Sequence, residues 1–165
     1  MLSPASPLEI FTDGSFWATK HAGGWAFVVQ HGNRRIHVQH GRGVGNSNNS
    51  FELMSVIEAM NWLARTGEGY KAIIWTDSAH VVEGCHHWRA IWRNNGWKRV
   101  TADQRVRKRS IPDAELWKRL DELLNRHPEV AVSWCKGHSG LIGNNLADAL
   151  ARTAVDTRGG GFRFP

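Results

Sequence analysis

The order of hydrophobic periods along this chain leaves few architectures open to it. Leu8–Asp13, Trp25–Gln30 and Arg34–Gln39 read as strands. Gly23-Gly24 precedes the second, and His31-Gly32-Asn33 supplies turn chemistry before the third, which predicts an antiparallel meander. From Asn49 to about Arg65 the period changes, and Leu53, Val56, Ile57, Met60 and Ala64 recur at helical spacing. Ala72–Thr76 is a short apolar run suited to the buried middle of a sheet. A helix is expected from near Ser78, broken at Gly84, with Cys85, Trp88 and Trp92 on one stripe of the next. Residues 96–112 read as a basic loop and Ala114–Arg126 as an amphipathic helix stopped by Pro128. Val130–Cys135 is a last strand and Asn144–Val155 a last helix. This order predicts an α/β fold, a five-stranded mixed sheet flanked by helices. With the first and fourth strands as parallel neighbours, Asp13 and Asp77 fall side by side at carboxyl ends, where open α/β sheets bind ligands.

At 165 residues the chain suits one domain, expected over 8–155, with flexible segments at 1–7 and at the Gly-rich 156–165. No apolar run approaches the ~20 residues that span a bilayer, and the first residues lack a signal-peptide core. Two cysteines, Cys85 and Cys135, make no disulfide framework, so a reducing, cytoplasmic setting is expected. Cys85-His86-His87, or Cys135 with His138, offer zinc ligands but no four-ligand set at finger-like spacing.

The net charge of +6 is local. Residues 86–109 hold Arg89, Arg93, Lys98, Arg99, Arg105, Arg107, Lys108 and Arg109 against one acid, Asp103, which is the whole excess. A cationic segment of this kind points to a polyanion, above all nucleic acid. Trp88, Trp92 and Trp97 lie within it. Core packing is expected for Trp62, Trp75, Trp117, Trp134 and Trp88, whereas Trp92 and Trp97 stand between core and binding surface.

Four acids carry the chemistry, and each has an ordinary alternative. Asp13-Gly14 could be a turn pair. Asn49 and Glu52 have capping-box spacing. Asp77-Ser78 could cap a helix. Asp148 lies four residues before Arg152 and could be half of a solvated pair. These alternatives explain four separate acids but give no reason for them to converge. If the fold gathers them, the cost of clustering carboxylates requires a compensating cation.

The segments around them are Thr12-Asp13-Gly14-Ser15, Ser47-Asn48-Asn49-Ser50-Phe51-Glu52-Leu53-Met54, Thr76-Asp77-Ser78, and Trp134-Cys135-Lys136-Gly137-His138-Ser139-Gly140 with Asn144 and Asp148. In this order they resemble type 1 ribonucleases H of the bacterial kind, from about Leu8 to Val155. The resemblance implies a ribonuclease H-like fold in which residues 86–109 form a basic, Trp-rich protrusion. It implies a monomeric endonuclease that hydrolyses the RNA strand of an RNA–DNA hybrid with two Mg²⁺ ions, Mn²⁺ being a possible substitute, and leaves 5′-phosphate and 3′-hydroxyl ends. The alternative is a non-catalytic hybrid-binding module of the same fold. By the resemblance Asp13 bridges both ions, Asp148 helps hold the one that activates water, and Glu52 with Asp77 holds the other. His138 becomes a proton shuttle or an aid to product release. Hard carboxylate oxygens suit either metal.

Substrate contacts are expected from Gly14, Ser15, Ser47, Asn48, Asn49, Ser78, Trp92, Arg93, Trp97, Lys98 and Asn144. Asn48 and Asn49 suit base edges and 2′-hydroxyls in a wide minor groove, and Gly14 lets backbone approach the RNA. Four places depart from the family pattern. Ala79 stands where Gln is frequent, the 16–22 loop lacks its usual Gly, Pro and Asn, Asp113 replaces a phosphate-contacting Asn, and Leu141-Ile142-Gly143 replaces a polar stretch.

Overall fold

The computed structural model describes residues 6–66, 69–99, 103, 110–137 and 142–156. Its sheet has the order β3-β2-β1-β4-β5, from β1 (Leu8–Trp17), β2 (Ala22–His31), β3 (Arg34–Gly43), β4 (Ala72–Thr76) and β5 (Val130–Trp134). The first three strands pair antiparallel, and β4 lies parallel to both β1 and β5. The expected five-stranded mixed sheet is therefore observed. The flexibility expected for residues 1–5 and 157–165 lies outside the described residues.

The side-chain alternation sorts the sheet into two apolar faces. Ile10, Phe27, Val29 and Ile74 pack under α1 (Asn48–Thr66) and α4 (Ala114–Arg126), with Leu53, Val56, Met60, Trp117 and Leu120. Phe11, Ala26 and Val28 pack on the other face under Ala147, Leu150 and Ala151 of α5 (Ile142–Asp156). The apolar stripe expected on α1 is buried except Ala64, whose place is taken by Leu63.

Several boundaries differ from the expectation, for physical reasons. β1 does not stop at Asp13 but runs to Trp17, because β2 pairs with it from Ala22 onward. Only the parallel ladder with β4 ends early, at Phe11 opposite Trp75. The 16–22 segment is thus strand, a 3₁₀ turn at Ala18–Lys20 and a left-handed His21, rather than an open loop. Gly84 does not break the helix begun by α2 (Ala79–Glu83). The chain passes through one π turn, Gly84–Trp88, into α3 (Arg89–Asn94) with right-handed dihedrals throughout. A β-carbon at Gly84 would lie 2.0 Å from the Trp117 ring, so the glycine answers a tertiary contact.

Two tryptophans expected in the core are exposed, Trp88 at 47% and Trp134 at 53%. Trp88 stacks on Trp92, which in turn meets buried Trp117 edge-on, so the protrusion has its own aromatic ladder. Trp134 ends β5, which among the described residues is an edge strand of the sheet.

Candidate active site

Asp13 is placed by β1, Asp77 by the turn after β4, Glu52 by the second turn of α1 and Asp148 by α5. Beyond the last paired residues, Phe11 and Trp75, β1 and β4 part, and the two aspartates flank the gap. Thr12 Oγ1 donates to the Trp75 carbonyl across this point at 3.1 Å, which pins the two strands where they separate. α1 reaches the gap because Gly14 lets it. A β-carbon there would fall 2.3 Å from the Phe51 carbonyl carbon and 2.4 Å from the Glu52 nitrogen. Gly14 is therefore required for helix-on-strand packing, whatever it offers a substrate. Gly143 acts likewise on the other face, where an added β-carbon would lie 2.3 Å from the Phe11 ring. Close seating of α5 brings Asn144 and Asp148, one turn apart, toward β1.

Ligand oxygens of Asp13, Glu52 and Asp77 lie within 4.8 Å of one another. Asp13 and Glu52 are each only 4% exposed. Burial raises the Asp13 carboxyl from 3.8 to about 7, reinforced by the hydrogen bond that protonated Asp13 donates to Asp148 and by the charge of Asp77. Burial also holds Glu52 well above the usual range, followed by the Asp13 charge beside it. Asp148 thus joins the cluster through Asp13, while also pairing with Arg152 at 3.2 Å. Both the site and the ordinary i, i+4 pair are present.

The other ordinary readings fare less well. Asp13 lies inside a strand opposite Ala26, not in a turn. The helix after β4 is capped by Ser78, whose Oγ accepts from the Val81 N–H at 3.2 Å, which leaves Asp77 to the cluster. Glu52 does not reach back to close a capping box. Its Oε1 accepts from Asn48 at 3.4 Å, and its buried Oε2 has no hydrogen-bond partner. An orphaned, buried carboxylate oxygen beside two other carboxylates fits a hard divalent cation. Among the described residues, Cys85 and Cys135 are free, buried and outside this oxygen set.

Ser47 is half-buried just before α1, and Asn48 and Asn49 are exposed on its first turn. Ser15 is half-buried in β1. Asn144 is only 2% exposed, so it serves the interior of the site rather than its surface. His138 and Leu141 lie outside the described residues. Gly137, just before His138, sits against Asp77, where a β-carbon would approach Oδ2 to 2.6 Å. Cys135 belongs to the site in a way the sequence reading missed. Its buried thiol donates to Asn144 Oδ1 at 3.7 Å and is pushed up to about 11 by burial, then by Asp77, Asp13 and Glu52. Its place at the end of β5, level with Thr76 whose carbonyl accepts its N–H, was the available signal.

The basic segment divides into anchored and free cations. Arg89 and Arg93 both donate to Asp121 Oδ1 at 2.7 Å, and Arg89 also bonds the Cys85 carbonyl and Asn125. They tie α3 to α4, a structural role that the sequence did not announce, beside the phosphate contacts expected of them. Trp92 and Trp97 are half-buried and pack on the core, so they support the protrusion as well as facing outward. Lys98 and Arg99 are exposed. Arg105, Arg107, Lys108 and Arg109 lie outside the described residues. Since the Asp121 side chain is 6% exposed, Arg89→Ala should lower stability by about 2 kcal/mol in denaturant unfolding. Lys98→Glu should leave stability unchanged. A neutral Arg89→Ala would show that Arg93 alone suffices for Asp121.

Residues 5–156 match the family described as RNase H. A protein named Ribonuclease H from Dichelobacter nodosus is 35% identical over 154 residues, covering 93% of this chain and 95% of its own. Among solved structures, LC9-RNase H1, described as a type 1 RNase H with the type 2 active-site motif, superposes with a TM-score of 0.75 at 25% identity, over 94% of this chain and 75% of that one. LC11-RNase H1, solved in complex with an RNA/DNA hybrid, superposes at 0.64 with 17% identity, over 90% of this chain and 96% of that one. With the carboxylates gathered at the carboxyl end of a parallel strand pair and the match running through all of them, the chain belongs to the ribonuclease H family of enzymes.

Proposed function

We propose that the protein hydrolyses the RNA strand of RNA–DNA hybrids with two divalent cations, Mg²⁺ in the first place, and leaves 5′-phosphate and 3′-hydroxyl ends. The observation that carries this reading is the convergence of Asp13, Glu52 and Asp77 oxygens within 4.8 Å, with Asp148 hydrogen-bonded to Asp13. These four carboxylates would hold the metal. Bound there, paired cations stabilise charge on the attacking and leaving oxygens and lower the pKa of water. The protein supplies a buried seat for Asp13 and Glu52, a half-buried one for Asp77 and Asp148, and rigid elements that fix their spacing. Asn48 and Asn49, exposed on the turn that delivers Glu52, would touch the minor groove beside the scissile strand. Lys98 and Arg99 would neutralise phosphates of the other strand. His138 would move a proton or help the product leave.

The reading extends to one catalytic domain over 8–155, a monomer working in the cytoplasm. Among the described residues no helix is long and apolar enough to cross a membrane. The non-catalytic alternative loses its motive, because no carboxylate of the set is missing. Cleavage of an end-labelled hybrid, duplex RNA and duplex DNA, each with Mg²⁺ and with EDTA, tests the proposal. Hybrid-specific, Mg²⁺-dependent cutting is expected, and binding without cutting would favour the alternative. Lys98→Glu with Arg99→Glu should weaken hybrid binding and flatten its salt dependence by a slope of about 1 to 2. An unchanged slope would place the hybrid elsewhere.

A further inference from the structure

Among the described residues α1 is the longest helix, and its first turn, Asn48–Phe51, contains no acidic residue. A helix start with orphan N–H groups and a positive dipole end is stabilised by negative charge, which this sequence does not supply locally. The charge arrives from 63 residues away. Asp113 Oδ1 accepts a hydrogen bond from Ser50 Oγ at 2.8 Å, and Ser50 is fully buried. The same Ser50 Oγ accepts from the Asn46 N–H at 3.3 Å, so the relay runs from the loop before α1, through its third residue, to Asp113.

Asp113 stands immediately before α4, where an aspartate ordinarily caps its own helix. It makes no such bond. Its backbone is left-handed, with φ of 58° and ψ of 32°, a conformation that Asp tolerates better than most residues but that still needs a compensating contact. The link to Ser50 provides one. His80, packed edge-on against Trp117, lies near enough to feel the carboxylate, although burial outweighs it and lowers the His80 pKa.

We propose that Asp113 is a positioning residue, an indirect cap supplied from across the fold to the first turn of α1 through the Ser50 hydroxyl. It fixes where α1 begins, and so sets Asn48, Asn49 and the seat of Glu52, and it fastens that helix to the end of the basic segment. The part concerning catalysis rests on the function proposed above, whereas the cap itself does not. A departure from the family pattern at this position thus becomes a working part of this chain.

The test uses Asp113→Ala, Ser50→Ala, the double variant and Asp113→Asn in the full chain. Amide hydrogen exchange should speed up over residues 46–51 in both single Ala variants, whether or not the protein cleaves hybrids. Steady-state cleavage well below the melting temperature should show kcat/KM reduced about tenfold, mostly through KM. The double variant should be no worse than either single one, because the two side chains form one link. Asp113→Asn keeps an oxygen acceptor for Ser50 but not the charge, so it should recover only part of both readouts. Additive losses in the double variant would overturn the proposal. So would a lower melting temperature with exchange at 46–51 and KM unchanged, the signature of a merely structural residue. If wild type fails to cut hybrids while exchange responds as described, the functional reading falls and the cap stands.

Discussion

Asp13→Asn is expected to reduce Mg²⁺-dependent cleavage of a hybrid by about a thousandfold or more while leaving hybrid binding intact. Asp13 is the hub of the cluster. It lies within reach of Glu52 and Asp77, and Asp148 joins through it, so one amide removes a ligand atom shared by the whole set. The same variant carries a stability signature. Burial raises Asp13 from 3.8 to about 7 and raises Glu52 as well, so between these values the folded protein binds more protons than the unfolded chain. Stability contributed by these groups is therefore full below about pH 4 and is lost as pH rises through about 7. Added cation reverses that loss by binding the ionised cluster. Mg²⁺ should raise the melting temperature by a few degrees at pH 8 and much less at pH 5. Without metal at pH 8, Asp13→Asn should melt higher than wild type, since a neutral amide has no charge to bury. Thermal melts at the two pH values, with Mg²⁺ or EDTA, check the sign. A variant that cuts at near-normal rates, or a Mg²⁺ shift independent of pH, would remove Asp13 from the metal-binding set.

Gly14→Ala should be nearly as damaging although it touches no charge. The new methyl would sit 2.3 to 2.7 Å from backbone atoms of Phe51 and Glu52, and a backbone cannot swing aside as a side chain can. α1 must lift from β1, at a cost of about 2–3 kcal/mol in stability. Its movement carries Glu52 away from Asp13 and Asp77, and a displacement near 1 Å at such a site costs about a hundredfold in rate. Denaturant unfolding together with single-turnover cleavage would read both losses. If turnover falls while a weaker, Mg²⁺-dependent melting shift persists, the helix has moved without unfolding. Wild-type stability and rate would mean that α1 is not seated by this contact.

The family relationship and the acids that the fold gathers were legible in the sequence because each motif is local. Thr12-Asp13-Gly14 and Thr76-Asp77-Ser78 stand where short apolar strands end their mutual pairing, and a strand writes its burial into a period of two. Glu52 and Asp148 sit on helices whose apolar periodicity marks which face turns inward. What each acid does with its neighbours was not local. Asp148 pairs with Arg152, as spacing suggested, and also bonds Asp13, which no spacing could reveal. Arg89 and Arg93 looked like free cations, because nothing near them in sequence announces Asp121. Trp88 and Trp134 looked like core by residue type, yet one rides the outside of the protrusion and the other caps an edge strand.

The chain's own pattern thus determined the element order, the mixed sheet and the identity of the carboxylates, since hydrophobic period and short motifs act within a few residues. Tertiary structure alone decided which glycines bear a helix, why the turn at Gly84 opens around Trp117, and that Asp113 serves α1 rather than α4. Those outcomes depend on surfaces meeting across the fold, and the free energy of such a contact belongs to the pair of elements, not to either sequence segment.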